Sequence, residues 1–215
     1  LCSDLNVGET ASVIADILVY DGTDELDALG PLEVLRSAAT MGAEIHARLV
    51  TRVAQSHVVG AHGLRFEPDE VLVVGAADVL VVTGGRWIAR SEVGAWGEYQ
   101  RGVLLPVLAE ASDAATITAG VCTGTMLLAH AGVVGGRRAA THRSAWSELA
   151  ATGAALVTDR VVDDGDLVTS GGVTSGIDLA LWLLEREFSA GLAQAVAERM
   201  EYPRARPANA SPIHG

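Results

Sequence analysis

The stretch "ADVLVVTGG" at 77–85 limits the architecture more than any other part of the chain. A half-exposed strand alternates apolar and polar side chains, but Val79 to Val82 has no polar position, so a strand here must be buried on both faces. Such strands belong to sheets that carry helices on both sides, where parallel neighbours are joined by crossover helices. The rest of the chain supplies the matching alternation. "SVIADILVY" (12–20) and "EIHARLVTRVA" (44–54) read as strands, separated by a helix over 25–42 that Gly42 closes. "SHVVGAHGLRFEP" reads as a hairpin around Gly60 to Gly63. After the buried strand come a helix near 94–112, the strand "AATITAG", a helix opened by Cys122 and a helix over 142–153. "LVTDRVVDDGDLVTSGG" is a strand pair joined at Asp-Asp-Gly-Asp, and two helices close the pattern. The expectation is one α/β domain over 13–201, with a mostly parallel sheet, a flexible leader over 1–12 and a flexible Pro/Ala/Arg tail over 202–215.

Composition excludes several functions. The 215 residues suit one domain, and a net charge of −12 argues against a nucleic-acid partner, whose phosphates need clustered cations. The chain contains no lysine, which removes Schiff-base chemistry, lysine-bound pyridoxal phosphate and a Gly-Lys-Ser/Thr phosphate loop. Cys2 and Cys122 are its two cysteines, and Cys2 sits in the polar leader, so no disulfide is expected. No metal site is expected, because His57 and His62 flank a turn and read as ordinary hairpin histidines. The longest apolar run is broken by Asp78 and is too short for a membrane span, and no secretory leader is visible; the expected location is cytoplasmic, with no membrane partner.

In open parallel sheets, ligands bind outside the carboxyl ends of the strands. Loops leaving such ends here are "DGTDELD", "TGG" at 83–85 and "GVCTG" at 120–124. The last is a G-x-C-x-G nucleophile elbow, a tight strand-to-helix turn that displays its central side chain at a helix N-terminus. Unpaired N–H groups and the helix dipole at that position are expected to lower the Cys122 pKa. Backbone N–H groups of Gly85 and Thr123 are candidates for an oxyanion hole, beside the plainer reading that the glycines at 84 and 85 merely end a strand.

The proton carrier is harder to find. Between Cys122 and His142 there is no Asp or Glu, so the acid-then-histidine order of an α/β-hydrolase is missing, and no His-x-Glu pair follows. Asp27 is the better candidate. Pro31 has no N–H to give the carbonyl of residue 27, so the helix is expected to be irregular or to begin late there, which lets an acid just past a strand end point into the crevice. Burial beside the thiol should raise the Asp27 pKa and let the two share a proton. Asp21, Asp24 and Glu25 read as a turn and a helix N-cap, and Glu33 is a weaker competitor.

These residues carry a family resemblance. With "DGTDELDALGPLEVL", "VVTGG", "AGVCTGTMLLAHAGVVGGRRAATH" and "TSGGVTSGIDLALWLLE", the chain resembles the ThiJ/PfpI superfamily from Val13 to Pro203. The implied fold is flavodoxin-like, similar to class I glutamine amidotransferases. Thr123 after the cysteine and an aspartate at 27 look most like the isocyanide (isonitrile) hydratase branch; other members carry histidine and glutamate there. The resemblance implies Cys122 as nucleophile, Asp27 as its proton partner, Thr123 holding the thiol, Gly85 near the sulfur, and a homodimer. "TGG" departs from the commoner Pro-Gly-Gly, and His142 occupies a recurrent family position.

The expected activity is therefore water addition to a small-molecule isocyanide, without a cofactor, giving an N-substituted formamide through a Cys122 thioimidate. Trp87 either lines the pocket or packs in the core. Alternatives are another electrophile, such as a glyoxal, or a ligand or redox sensor resembling the front domain of AraC-type regulators. The chain shows no helix-turn-helix after this domain, so a regulator would need a partner chain.

Overall fold

A computed structural model describes residues 12–205 and 207. In chain order it contains β1 (Val13–Leu18), α1 (Glu25–Thr40), β2 (Ile45–Thr51), β3 (Val58–Val59), β4 (Arg65–Phe66), β5 (Glu70–Val71), β6 (Val79–Val82), α2 (Gly94–Arg101) and α3 (Leu104–Ala114). Then follow β7 (Ile117–Val121), α4 (Gly124–His130), β8 (Arg138–Ala139), a 3-10 turn (Arg143–Ala145), α5 (Trp146–Ala151), β9 (Ala155–Leu156), β10 (Val161–Asp163), β11 (Leu167–Ser170), α6 (Ser175–Glu187) and α7 (Ala190–Arg199).

The central sheet has seven strands in the order β10-β11-β7-β6-β1-β2-β5, and β10 alone among them runs antiparallel to its neighbour. Strand alternation divides the core into two layers. Ile17, Val81, Ala119 and Val168 face the layer with α1, α6 and α7. Leu18, Leu80, Val82 and Leu167 face the layer with α2 to α5. Both faces of β6 are buried, as its all-apolar sequence demands. The chain runs outward from β1 to β2 and β5, then returns to place β6 on the other side of β1, so the strand order reverses between β1 and β6. That reversal opens a crevice at the carboxyl ends.

Most sequence expectations about elements hold, and the departures have physical causes. The helix near 94–112 divides into α2 and α3 because Gly102 takes a left-handed φ of +70° and caps α2. α1 does not begin late: it starts at Glu25 on the Asp24 N-cap and carries Pro31 inside. The hairpin around Gly60 to Gly63 forms as β3 and β4, and the Asp-Asp-Gly-Asp turn joins β10 to β11. The short edge strand β5 and the parallel pair β8–β9 carry too few residues to show a pattern. Among the described residues no helix is long and apolar enough to cross a membrane.

The leader over 1–12 falls outside the described residues except for residue 12, and Cys2 lies outside them. Of the expected tail, residues 202–205 are tied to α6. The fully buried Asp178 accepts hydrogen bonds from Tyr202 Oη at 2.9 Å, Ala205 N at 2.6 Å and Arg160 Nε at 2.8 Å. Asp178→Ala is expected to cost roughly 2–4 kcal/mol, because it orphans those donors. Urea denaturation checks this; a loss below about 0.5 kcal/mol would show that the contacts do not hold the segment.

Candidate active site

The site grows from a backbone contact between the end of β6 and the start of α4. A Cβ on Gly124 would lie 2.1 Å from the Val82 carbonyl oxygen, and one on Gly84 would lie 2.5 Å from Thr123 N. Neither position accepts a side chain, so these glycines let the two loops touch. The elbow itself is strained: Cys122 has a φ of +56°, a left-handed conformation that residues other than glycine adopt rarely. Its N–H reaches the carbonyls of Ser170 and Gly171 at 3.2 and 3.1 Å, and its carbonyl accepts from Thr141 Oγ1 at 2.8 Å. The sequence offered one hint of Thr141, its place just before His142.

The Cys122 thiol is not displayed on the surface. It is 5% exposed, on a cleft of about 170 Å³ also lined by Asp24, Gly85, Thr123, His142 and Val173, with the stretch Arg86 to Ala89 along one side. Asp27 is fully buried and is not among the lining residues. Its Oδ2 accepts from Gly84 N at 3.1 Å, while Oδ1 is buried without a nitrogen or oxygen partner. The carboxyl and the Cys122 thiol are near enough for each to shift the other's proton affinity. Asp27 stands at the third position of α1, directly after the β1 loop, which brings it across the strand-order reversal to β7.

Electrostatics correct one expectation and agree with another. Burial, with the Asp24 charge second, pushes the Asp27 carboxyl well above its ordinary pKa, opposed by the Cys122 and Gly84 hydrogen bonds. The Cys122 thiol also moves well above its ordinary value, not below it. Burial is the main cause and the Asp27 charge the next, and together they outweigh the Thr123 N–H that favours the thiolate. The elbow's dipole loses to desolvation because the cleft is tight and an acid faces the sulfur. Both shifts favour the neutral forms.

Of the expected oxyanion donors, Gly85 N–H is already engaged, donating to Thr123 Oγ1 at 3.0 Å, while Thr123 N–H is near enough to the sulfur to favour the thiolate. Gly85 has a φ of +130°, and a Cβ there would strike the Gly22 carbonyl oxygen at 2.3 Å, so it does more than end a strand. Gly84 is bound twice to the start of α1: its N–H donates to Asp27, and its carbonyl accepts from Asp24 N at 2.9 Å. His142 shares the cleft with Cys122, and its Nδ1 sits 2.6 Å from Ser144 Oγ. Nδ1 also accepts the Ser144 backbone N–H, which leaves the proton on Nε2 in the neutral ring.

Trp87 does two jobs: it lines the cleft, yet it is 2% exposed and packs edge-on against Trp96 with centroids 5.2 Å apart. Asp21 and Glu25 serve the β3–β4 hairpin. Asp21 Oδ1 accepts Val59 N at 2.9 Å, and Glu25 accepts His62 N at 2.7 Å. Glu33 lies away from the cleft and accepts from Ser37 Oγ at 3.3 Å. His57 and His62 do not converge: His57 meets Arg65, and His62 Nδ1 meets Glu25 Oε2 at 2.7 Å. Asp24, Glu25 and His62 do group their ligand atoms within 4.8 Å, but the Glu25 oxygens already take the His62 and Leu64 donors.

Sequence reasoning passed over Ile88, Ala89, Ser144 and Val173 on the cleft wall. Of these, Val173 carried a signal, since "GGVTSG" leaves a strand end as the other site loops do.

Comparison with known proteins places the chain in a family. Isonitrile hydratase of Pseudomonas putida is 35% identical over 191 residues, covering 88% of this chain and 78% of the relative. The HTH-type transcriptional regulator CdhR of Pseudomonas aeruginosa is 28% identical over 88% of this chain, which spans 55% of that regulator's length. The crystal structure of a ThiJ/PfpI family protein from Pseudomonas syringae superposes with a TM-score of 0.80 at 25% identity, over 94% of this chain and 80% of the other. Drosophila melanogaster DJ-1beta has the same fold, with a TM-score of 0.76 at 23% identity over 89% of this chain and 98% of the other. The DJ-1/PfpI family model matches residues 14–186, from β1 into α6, and the chain is a member of that family.

Proposed function

We propose that the protein hydrates isocyanides, with Cys122 as nucleophile and Asp27 as the proton shuttle. The observation that carries this reading is the buried neutral pair: a thiol facing an acid whose Oδ1 has no nitrogen or oxygen partner. The 35% identity to an isonitrile hydratase supports the choice of substrate.

The chemistry balances without a cofactor. Sγ attacks the terminal carbon of R–N≡C, and Asp27 gives its proton to that carbon while taking the thiol proton. The S–C and C–H bonds form, the acid is regenerated, and the thioimidate R–N=CH–S–Cys122 results. Water then adds to the same carbon, with Asp27 passing a water proton to the imine nitrogen. The C–S bond of R–NH–CH(OH)–S–Cys122 breaks, the hydroxyl proton returns through Asp27 to sulfur, and R–NH–CHO leaves. In this reading Thr123 holds the sulfur through its N–H, and Nε2–H of His142 offers a donor to the product oxygen.

The enzyme acts as a cytoplasmic homodimer in this proposal. A second reading, a ligand-sensing domain, is favoured by the 28% identity to the regulator CdhR. Under that reading a ligand binds the cleft without turnover.

Formamide production from methyl and cyclohexyl isocyanide separates the readings. Cys122→Ala should lose at least about 10³-fold in kcat/KM and Asp27→Asn about 10²–10⁴-fold. No turnover by wild type would end the hydratase reading, and full activity in Cys122→Ala would end the role of the thiol.

The pH dependence of Cys122 alkylation by iodoacetamide tests the pair itself. Since burial and the Asp27 charge both raise the thiol pKa, the wild-type rate should keep rising above the ordinary thiol range. Asp27→Asn removes a charge that opposes the thiolate, so its midpoint should move to lower pH. A midpoint that stays put or rises would show that Asp27 does not act on the sulfur.

A further inference from the structure

The loop after β6 forms one side of the Cys122 cleft, and its ends are conformationally special. Arg86 and Arg90 bracket it with φ of +55° and +50°, left-handed values for residues that carry side chains. Trp87, Ile88 and Ala89 lie between them and line the cleft. Ile88 is half exposed at 50%, an apolar side chain left at the cleft's rim. A loop held in such a conformation needs outside anchors.

The anchor comes from another segment that lines the cleft. His142 and Ser144 belong to it and lead through the 3-10 turn into α5. From α5, Glu148 reaches back to the loop. Its Oε2 accepts from Trp87 Nε1 at 2.9 Å, and its Oε1 accepts from Arg90 Nη2 at 2.8 Å. Arg90 is steadied in turn, with its guanidinium 3.8 Å from the centre of the Trp96 ring. One carboxylate therefore ties together two of the segments that line the cleft holding the thiol.

We propose that Glu148 is a positioning residue that sets the width of the Cys122 cleft and so the size of electrophile that reaches the thiol. The inference rests on the nucleophile assigned above and goes beyond it to specificity. Glu148 touches no reacting atom. It acts through Trp87 and Arg90, and loss of its two bonds frees Ile88 and Ala89 to swing away from His142. An exposed ion pair that served stability alone would leave the order of substrate sizes unchanged.

The test uses a Cys2→Ser background, so that Cys122 is the remaining thiol. Alkylation rates are measured with iodoacetamide and with the bulkier N-phenylmaleimide at one pH. Glu148→Ala should raise the ratio of the bulky to the small reagent by about fivefold or more. Glu148→Gln keeps an acceptor for the Trp87 indole but loses the charge that pairs with Arg90, and its ratio should fall between the two. A Glu148→Ala ratio within about 1.5-fold of the parent, with an unchanged near-ultraviolet circular dichroism spectrum, would overturn the proposal.

If Glu148→Ala does not fold, Arg90→Met breaks the same pair from the loop side, and the same ratio decides. With isocyanides, Glu148→Ala should change KM for the cyclohexyl compound far more than for the methyl one, while kcat stays within about twofold. Absence of turnover in every protein would remove the hydratase reading, and the alkylation ratio would still decide whether Glu148 sets the cleft's width.

Discussion

Everything at this site depends on two backbones touching. The Val82 carbonyl and the Gly124 Cα approach so closely that no Cβ fits between them, and Gly84 meets the Thr123 amide in the same way. This contact locks the β6 loop against the elbow, and two consequences follow. The Gly84 N–H is aimed at Asp27, fixing one carboxyl oxygen while the other is buried without a hydrogen-bond partner. The Gly85 N–H is aimed at the Thr123 hydroxyl, which fixes the residue whose amide serves the sulfur. The thiol, its acid and its amide donor are therefore positioned by main-chain geometry, which varies less than side-chain packing does.

The architecture was legible because parallel sheets leave a compositional mark. Val79 to Val82 could be nothing but a doubly buried strand, and the flanking helices followed from crossover rules. Cys122 stood out by its G-x-C-x-G turn at a strand end, whereas the irregularity that Pro31 predicts beside Asp27 is absent, since α1 runs unbroken through that proline. The direction of the thiol's pKa shift was not legible. A local motif reports the helix N-terminus, but desolvation depends on what closes over the sulfur, and that includes residues from 24 to 173.

The same distinction explains what was missed on the cleft wall. Glu148 in "HRSAWSELAATG" looks like an ordinary helix-surface acid, and nothing in the sequence connects it to Trp87 or Arg90. Its place arises from tertiary packing of α5 beside an aromatic group in which Trp87, Trp96, Tyr99 and His130 are in mutual contact. Likewise the tie from Asp178 to residues 202–205 converts a Pro- and Arg-rich stretch that reads as tail into part of the fold. Polar residues whose partners lie far along the chain leave no periodic trace.

The raised pKa values bear directly on which chemistry suits the site. A thiolate activated by an adjacent base suits acyl transfer, where sulfur attacks a carbonyl carbon and the base hands its proton to the leaving group. Addition to an isocyanide places sulfur and hydrogen on one carbon, so nucleophile and acid must converge and the acid must still hold its proton. An ionised Asp27 beside an ionised Cys122 would repel that second charge and have no proton to deliver. Burial disfavours that state here: Asp27 is fully buried, Cys122 nearly so, and the Asp24 charge pushes both in the same direction. The fold thus gives up the activated thiolate that an exposed elbow would offer. In exchange it keeps a proton within reach of the sulfur, which is the more demanding requirement for the proposed hydration.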